Sequence, residues 1–368
     1  MTPGAPVQEQ AAASGAADER AASPAIPPKL LLISNASPEQ TTGRLFRKLA
    51  DRLRAESRVE LRFRTLPRGV VAKVAALAMA FPGEVAAVAR ADKLFVHSAF
   101  ALNLPTILVA KLLGKPVSGF LWDIYPQSMA TGQNRGGRLA HALFSALERF
   151  AMHRADTIIV PNDDYRLHER LPPLRSVEVV PIWPVDAIQD ATASAPSPGK
   201  EVRIAWTGQL LATRGVGHAI RQIAAAFPGY TLAFHVFSPD PLPSGLAATI
   251  GDVGADLCYH GYVSLGELEE RLRQMHFGIV SLDPALPEAS FPSKSNRYIS
   301  SGLPILYSGP PLPGLKAALI DGGVGLSAND GPIDADTIGR FFRAYPENRL
   351  AYVAAIEAAQ LRLLGGSA

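Results

Sequence analysis

VRIAWTGQLLATRGVGHAIRQIAA, residues 202–225, is the stretch of sequence that decides the fold. Its first five residues form a mostly apolar run typical of a buried strand. A glycine-containing loop follows, and apolar residues then recur at helical spacing. A strand, a loop and a helix in this order are the repeating unit of an α/β protein, so the stretch predicts a parallel sheet covered by helices on both faces.

The same order of elements begins at residue 29. Residues 29–34, KLLLIS, predict a buried strand, and a polar loop then leads to a helix with apolar residues at Leu45, Leu49 and Leu53. Similar units follow as far as residue 160. A chain of 368 residues is longer than one hydrophobic core usually serves. The sequence therefore predicts two Rossmann-like domains with a central cleft between them, and ligands beyond the carboxyl ends of their strands.

Composition marks the boundaries between these parts. The first residues are rich in Ala, Ser, Pro and Gly and predict a disordered tail, whereas a Pro, Ala and Ser rich segment around residue 190 predicts a linker. The predicted organisation is a tail at 1–28, an N-terminal domain at 29–182, a linker at 183–200, a C-terminal domain at 201–340 and a C-terminal helix at 341–368.

Charge is divided unevenly along the chain. The net charge is only +3, but Lys and Arg outnumber Asp and Glu in residues 29–182, and the reverse holds in residues 183–368. A basic first half favours an anionic ligand or surface there, or else it is solvated charge without a partner. The single cysteine excludes an intramolecular disulfide. Because neither a signal peptide nor a long uninterrupted apolar stretch is visible, we expect a cytoplasmic location.

The loop after the strand at 202–206 is the first candidate for an anion site. It contains Gly208, Gln209 and Arg214 and ends where a helix begins. Backbone N–H groups at a helix N-terminus favour an anion, and a guanidinium in the same loop can form two parallel bonds to phosphate oxygens. The alternative is an arginine in a turn that faces solvent.

The segment EASFPSKSNR, residues 288–297, is the second candidate. It places Lys294 in the first turn of a predicted helix, where a cation is unfavourable unless an anion neutralises it. Ser293 and Ser295 offer hydroxyl groups to the same anion, or they cap the helix.

Two features of the first half complete the candidates. The segment FLWDIYPQS, residues 120–128, sets Asp123 between Trp122 and Tyr125 after a strand, a combination that suits sugar recognition. The alternative for Asp123 is a turn or helix cap. His97, at the end of the preceding strand, either bonds a sugar hydroxyl or is a core histidine.

Together these motifs resemble the retaining glycosyltransferases of family four, which have the GT-B fold and act in bacterial capsule, lipopolysaccharide and exopolysaccharide assembly. The likeness covers residues 29–345. It is carried by TTGR at 41–44, by LLGKP at 112–116 after His97, by DIYPQS at 123–128, by the loop from Gly208 to Arg214, and by a Pro-Ser-Lys triplet ending at Lys294 before the SSG turn at 300–302.

The resemblance implies that the first domain binds the acceptor and that the second binds the nucleotide sugar. It gives Asp123 and His97 catalytic roles. Binding of the donor diphosphate falls to Gly208, Gln209, Arg214, Ser293 and Lys294; the donor sugar or ribose to Glu288 and Arg297; and the acceptor side to Gly43, Trp122 and Tyr125.

One position departs from the family pattern. Arg297 stands where the family commonly has a glutamate that holds the donor ribose, five residues before Gly302. An arginine there suits a carboxylate or phosphate, and hence a uronic acid donor, or it is a surface residue. Residues 277–298 also resemble the inverting glucuronosyltransferases of exopolysaccharide synthesis, so the sequence leaves the stereochemistry open.

The predicted activity is transfer of a hexose or hexuronate from a nucleoside diphosphate sugar to a lipid-linked saccharide acceptor. Arg214 and Lys294 would stabilise the departing diphosphate, and Asp123 would act as general base if the enzyme inverts. No metal or other cofactor and no nucleic-acid partner is expected. The basic first domain predicts peripheral binding to an anionic inner membrane.

Two rival functions remain from the sequence, and a third is disfavoured. A non-catalytic GT-B protein that binds sugar nucleotides or a partner is compatible with Arg297. A GT-B epimerase would need paired carboxylates, for which the second half offers Asp283 and Glu288. A nicotinamide oxidoreductase is disfavoured because no Gly-x-Gly-x-x-Gly follows a first strand.

Overall fold

The computed structural model describes residues 27–67, 69–122, 124, 135–166, 176–181, 195, 197–210, 214–284 and 291–362. Most of the predicted tail at 1–28 and of the predicted linker at 183–200 lies outside these residues.

The first half forms one six-stranded parallel sheet in the order β2-β1-β3-β4-β5-β6. Its elements are β1 (Lys29–Ser34), α1 (Thr41–Leu53), β2 (Arg58–Phe63), α2 (Val70–Arg90), β3 (Lys93–His97), α3 (Phe100–Leu112), β4 (Val117–Phe120), α4 (Arg135–Arg154), β5 (Thr157–Val160) and β6 (Val177–Val179).

The second half forms another six-stranded parallel sheet, in the order β12-β11-β10-β7-β8-β9. Its elements are β7 (Glu201–Thr207), α5 (Val216–Ala226), β8 (Thr231–Phe237), α6 (Ser244–Asp252), β9 (Asp256–Gly261), α7 (Leu265–Leu272), β10 (Phe277–Ser281), α8 (Lys294–Ser300), β11 (Ile305–Ser308), α9 (Pro313–Lys316), β12 (Gly325–Ser327) and α10 (Ala335–Arg362).

The two sheets confirm the predicted fold class of two Rossmann-like α/β domains. The short elements β6, α6, β9, α9 and β12 were not predicted, because few residues in each of them leave a periodic signal. The apolar pattern of residues 70–89 predicts a helix that Pro82 breaks, and this break is wrong: α2 continues through the proline. Proline frees the carbonyl four residues earlier, and Ala78 at that position is exposed to water, which can hydrate the carbonyl.

Helices α2, α3 and α4 cover one face of the first sheet. Ala87 and Val88 of α2, Ile107 of α3 and Met152 of α4 pack with alternate strand residues such as Val96 in one buried cluster. Helix α1 packs on the opposite face through Phe46 and Leu49. The first sheet is therefore buried on both faces, as parallel sheets require.

A buried ion pair ties α2 to the end of β2. Arg64 donates from Nε to Glu84 at 2.7 Å and from Nη2 to the same carboxylate, and both side chains are almost fully buried. The Arg64 guanidinium also donates to Asn103 at 2.6 Å and to Thr106 at 2.9 Å. Both charged groups of this pair are hydrogen-bonded, which is the condition under which a buried charge is tolerated.

The two halves are joined by direct contacts. The Asp164 carboxylate accepts hydrogen bonds from the backbone N–H groups of Gly314 and Leu315, each at 2.7 Å. A Cβ at residue 314 would lie 2.7 Å from the Asp164 nitrogen, so only glycine allows this approach. Arg52 of α1 pairs with Glu357 and Gln360 of α10, which returns to the first half.

Replacing Glu84 with glutamine is expected to lower the free energy of unfolding by about 3 kcal/mol, because the Arg64 charge would stay buried without its counter-ion. Chemical denaturation measures the change. Asp51→Asn, which removes the exposed partner of Arg54, is the matched control and should cost less than about 1 kcal/mol. Equal losses in the two variants would contradict the structural role of the buried pair.

Candidate functional site

The order of the second sheet brings two distant loops together. β7 pairs directly with β10, although α5, β8, α6, β9 and α7 lie between them in the chain. The neighbours of β7 are β8 on one side and β10 on the other, so the chain reverses its direction of growth there. A reversal of this kind opens a crevice at the carboxyl ends of the strands. The loop after β7 and the start of α8 both border that crevice.

A cavity of about 460 Å³ lies at this position and is walled by both halves of the chain. From the second half it is lined by the ends of β7, β8 and β9, by α7 and by the start of α8. From the first half it is lined at the start of α1. The side chains and backbone that line it include Glu39, Arg44, Thr207, Gly208, Phe237, Gly261, Tyr262, Ser293, Lys294 and Arg297.

Lys294 is the most unusual side chain of this cavity. Its Nζ lies 3.1 Å from the centroid of the Trp206 ring. Part of the side chain is exposed, yet the Nζ itself is shielded from solvent and has no hydrogen-bond partner among the described residues. Burial, and in second place the charge of Arg214, hold the pKa of Lys294 well below that of a free lysine. The ammonium form therefore lacks a counter-ion among the residues that the structure describes.

Arg214 and Lys294 were selected separately from the sequence, and the fold places them near enough for their charges to interact. The Arg214 carbonyl accepts a hydrogen bond of 2.6 Å from Ser281 at the end of β10. Gly215 follows with φ of 57°, and a Cβ there would lie 2.8 Å from the Cα of Asp283. Glycine is required at 215 because both the backbone angle and the space exclude a side chain.

Buried hydrogen bonds fix α8 beneath the cavity. The Tyr298 hydroxyl accepts from the Thr207 backbone N–H at 3.0 Å, which joins α8 to the end of β7. In the same half of α8, the buried Arg349 donates to the carbonyls of Ile299 and Ser300 at 2.7 and 2.9 Å. The C-terminal half of the helix that begins at Lys294 is thus held against β7 and α10.

The other candidate residues for donor, catalytic and acceptor roles, apart from those in the core of the first half, divide into three groups. Gly208, Ser293 and Arg297 line the cavity. Ser293 makes no capping bond with its side chain, whereas Ser295 bonds the Pro292 carbonyl. Gln209 is exposed and does not line the cavity. Glu288, Asp123 and Tyr125 lie outside the described residues, so their predicted roles stay predictions.

The candidate residues of the first half that the structure describes are buried. His97 is buried, with its ring 5.0 Å from those of Phe46 and Trp122, and neither ring nitrogen has a hydrogen-bond partner among the described residues. Trp122 is also buried. A Cβ at Gly43 would lie 1.9 Å from the Ser37 carbonyl oxygen, so this glycine permits close packing of the first loop.

Several cavity residues were missed by sequence reasoning. Arg44 reaches the cavity from α1, and its Nε is buried without a partner among the described residues. Glu39 lies beside it. Phe237 ends β8, Gly261 ends β9, and Tyr262 follows β9. Their position in the sequence would have identified them, because each lies at the carboxyl end of a parallel strand or next to a glycine-containing loop.

Sequence comparison finds no match: no protein-family profile and no curated protein matches the chain. Solved structures do. HepE from Anabaena, in complex with UDP and glucose, gives a TM-score of 0.57 at 12% identity, over 91% of this chain and 98% of its own. The apo lipopolysaccharide outer core galactosyltransferase WaaB gives 0.58 at 12% identity over the same shares. The fold is GT-B.

In a GT-B fold two Rossmann-like domains enclose a cleft, and the cavity that contains Lys294 lies in that cleft. No group of three or more His, Cys, Asp or Glu side chains within the described ranges is arranged to hold a metal ion. Asp334, part of the Asp-x-Asp sequence before α10, accepts from the Thr337 backbone N–H at 2.7 Å and so caps that helix.

Lys294→Met is expected to raise the stability of the ligand-free protein by about 1–3 kcal/mol at neutral pH. In the unfolded chain Lys294 binds a proton below about pH 10.4, whereas in the folded protein protonation is unfavourable. The wild type therefore loses stability as the pH falls below that value. Chemical denaturation at several pH values tests this. Lys316→Met, which removes an exposed lysine whose pKa is raised by its hydrogen bond and ion pair with Asp321, should bring no gain. A Lys294→Met protein less stable than the wild type would contradict the claim that the buried Lys294 charge destabilises the ligand-free protein.

Burial lowers the pKa of His97 to about 3. Between about pH 6.5 and 3 the unfolded chain binds a proton at this ring and the folded protein does not, so stability falls as pH falls. His97→Phe should fill the same aromatic cluster and remove this contribution. We expect the variant to gain on the wild type by up to about 1.4 kcal/mol per pH unit in thermal or chemical unfolding. His153→Gln, at an exposed site, is the control, and parallel pH curves for all three proteins would refute the assignment.

Proposed function

We propose that the protein is a glycosyltransferase that uses a nucleoside diphosphate sugar as donor. The observation that carries the proposal is the Lys294 Nζ. It is buried over Trp206 near Arg214, in the cleft of a GT-B fold, and no described residue supplies a counter-ion. A site that holds two cations together destabilises the free protein, and an anionic ligand would relieve the repulsion.

The donor diphosphate is the anion that fits this site. Lys294 and Arg214 would contact its oxygens, with Arg44 approaching from the first half. The nucleoside would lie toward Phe237 and Tyr262, where an exposed aromatic ring can stack on a base. HepE, which shares the fold, has been solved with UDP-glucose at 13% identity, so we propose a UDP-sugar as the donor.

The chemistry follows from charge. As the bond between the anomeric carbon and the diphosphate oxygen breaks, negative charge grows on the leaving group, and the two cations stabilise it where it develops. The acceptor hydroxyl oxygen forms the new bond to the anomeric carbon. Its proton passes to the leaving diphosphate if configuration is retained, or to Asp123 if it is inverted.

The sugar and the acceptor are finer parts of the proposal. Arg297 lines the cavity and would favour a hexuronate over a neutral hexose. The acceptor would be a lipid-linked saccharide of a bacterial surface polysaccharide. A second cavity, of about 390 Å³, lies between the end of β2 and the apolar side chains of Ala76, Leu77 and Ala80 on α2, and it suits an apolar portion of such an acceptor.

Thermal-shift titration with UDP, UDP-glucose, UDP-glucuronate and GDP tests the donor. Saturating ligand stabilises the native state, and a concentration of about 100 times Kd corresponds to about 2.7 kcal/mol, a rise in Tm of about 5–10 °C. We expect a rise with UDP and its sugars, and none with Lys294→Met. Because Lys93→Met removes a cation over a ring in the other half, it should keep the full shift.

Turnover is measured as release of UDP from each UDP-sugar, with and without a bacterial polyprenol-linked saccharide. We expect release of UDP by the wild type and by Lys93→Met, and none by Lys294→Met. A Tm shift without release from any donor would favour the non-catalytic sugar-nucleotide-binding alternative. Absence of a shift with every nucleotide would overturn the proposal.

A further inference from the structure

The outer side of helix α2 is apolar and exposed to solvent. Val71, Val74 and Met79 are 83%, 60% and 78% exposed. The segment Val71–Arg90 has a mean hydropathy of 1.6, yet only 17% of it is buried. A helix in a soluble domain normally turns its apolar side to the core and a polar side to water. The outer side of α2 therefore lacks the polar residues that contact with water alone would favour.

Helix α4 carries a second apolar stripe. Leu139, Leu143, Leu147 and Phe150 are all exposed, and their spacings of four, four and three residues place them on one face. Leu112, at the end of α3 between the two helices, is also exposed. Since α2, α3 and α4 cover the same side of the sheet, their outward side chains point in one direction. We call these eight residues of α2, α3 and α4 the outer helix face.

The charges that α2, α3 and α4 themselves expose have one sign. The acidic residues of α2, α3 and α4 are Glu84 and Glu148, and both are buried. Glu84 pairs with Arg64, and Glu148 accepts from the Phe100 backbone N–H at 2.8 Å.

The exposed charges of these helices are basic. Arg90 ends α2, and Arg149 and Arg154 lie on the last turns of α4, where the Arg154 guanidinium is 4.7 Å from the Phe150 ring centroid. An apolar surface bordered by cations is complementary to an anionic lipid bilayer.

By length and composition α2 would be able to cross a membrane, a possibility the sequence reasoning had set aside. Its contacts hold it on the sheet instead. In the chain, α2 lies between β2 and β3, two strands of the same sheet. Its Glu84 forms an ion pair with Arg64, and its Ala87 and Val88 are buried in the core. These contacts leave the helix parallel to any surface that the outer helix face meets.

We propose that the outer helix face docks on an anionic lipid bilayer, with its apolar side chains in the interfacial region and its arginines against lipid phosphates. The protein would then be peripheral at the cytoplasmic side of the inner membrane. A second copy of the chain is a less suitable occupant, because a twofold interface would bring the same arginines toward one another. This proposal is independent of the donor chemistry, since membrane binding requires no turnover.

Vesicle flotation of the full chain tests the proposal, with phosphatidylcholine vesicles compared with vesicles that also contain phosphatidylglycerol. We expect binding to the anionic vesicles that falls as salt is added. Leu143→Glu and Val74→Glu should each weaken binding about tenfold or more, because a charge replaces a buried apolar side chain. Replacing Arg149 and Arg154 with glutamine should weaken it roughly fivefold for each charge removed.

Leu350→Glu on α10 is the matched control, because it alters an exposed leucine in the other half and should bind like the wild type. Thermal melts of all variants confirm that they are folded. Failure of the wild type to bind anionic vesicles would overturn the proposal, and so would equal binding by Leu143→Glu. A dimer that Leu143→Glu dissociates, without vesicle binding, would assign the outer helix face to a second copy instead.

Discussion

Parallel pairing between β7 and β10 is the constraint on which the cleft depends. It places the loop after β7 beside the start of α8, and with them Arg214 beside Lys294. The pairing is itself fixed by burial, since Gly278 of β10 leaves room for the Tyr298 ring, which a Cβ there would approach to 2.5 Å. Tyr298 then bonds Thr207 at the end of β7. The same packing that stabilises the sheet therefore positions the cations.

The cleft departs from the rule that buried charges are paired. Elsewhere the chain follows it, as Arg64 with Glu84 and Asp164 with the backbone of Gly314 show. Lys294 instead meets an aromatic face and a second cation. Local violations of this kind are expected where binding takes place, because the ligand supplies what the free protein lacks. The contrast between the two sorts of charge is the strongest physical argument for the location of the site.

The candidate residues of the first half that the structure describes are buried, whereas most of those of the second half border the cavity. The sheet of the first half is buried on both faces, and its own candidate residues, His97 and Trp122, lie within aromatic packing. Its contribution to the cavity comes from α1, through Arg44. Its unusual feature is on the outside, where α2 and α4 expose apolar side chains while their acids face inward. The domain thus combines a buried core, one edge of the cleft and an apolar outer surface.

The sequence by itself determined the alternation of strands and helices, and hence the two parallel sheets, because apolar period is a local property. It also singled out Arg214, Lys294 and Gly208 from loops that follow strands. Only the tertiary structure decided that the charges of Arg214 and Lys294 interact, that Arg44 and Tyr262 share the cavity of Lys294, and that α2 is exposed despite its composition. These facts depend on strand order and on which helix face meets the sheet. Local period encodes neither, since residues far apart in the chain decide both.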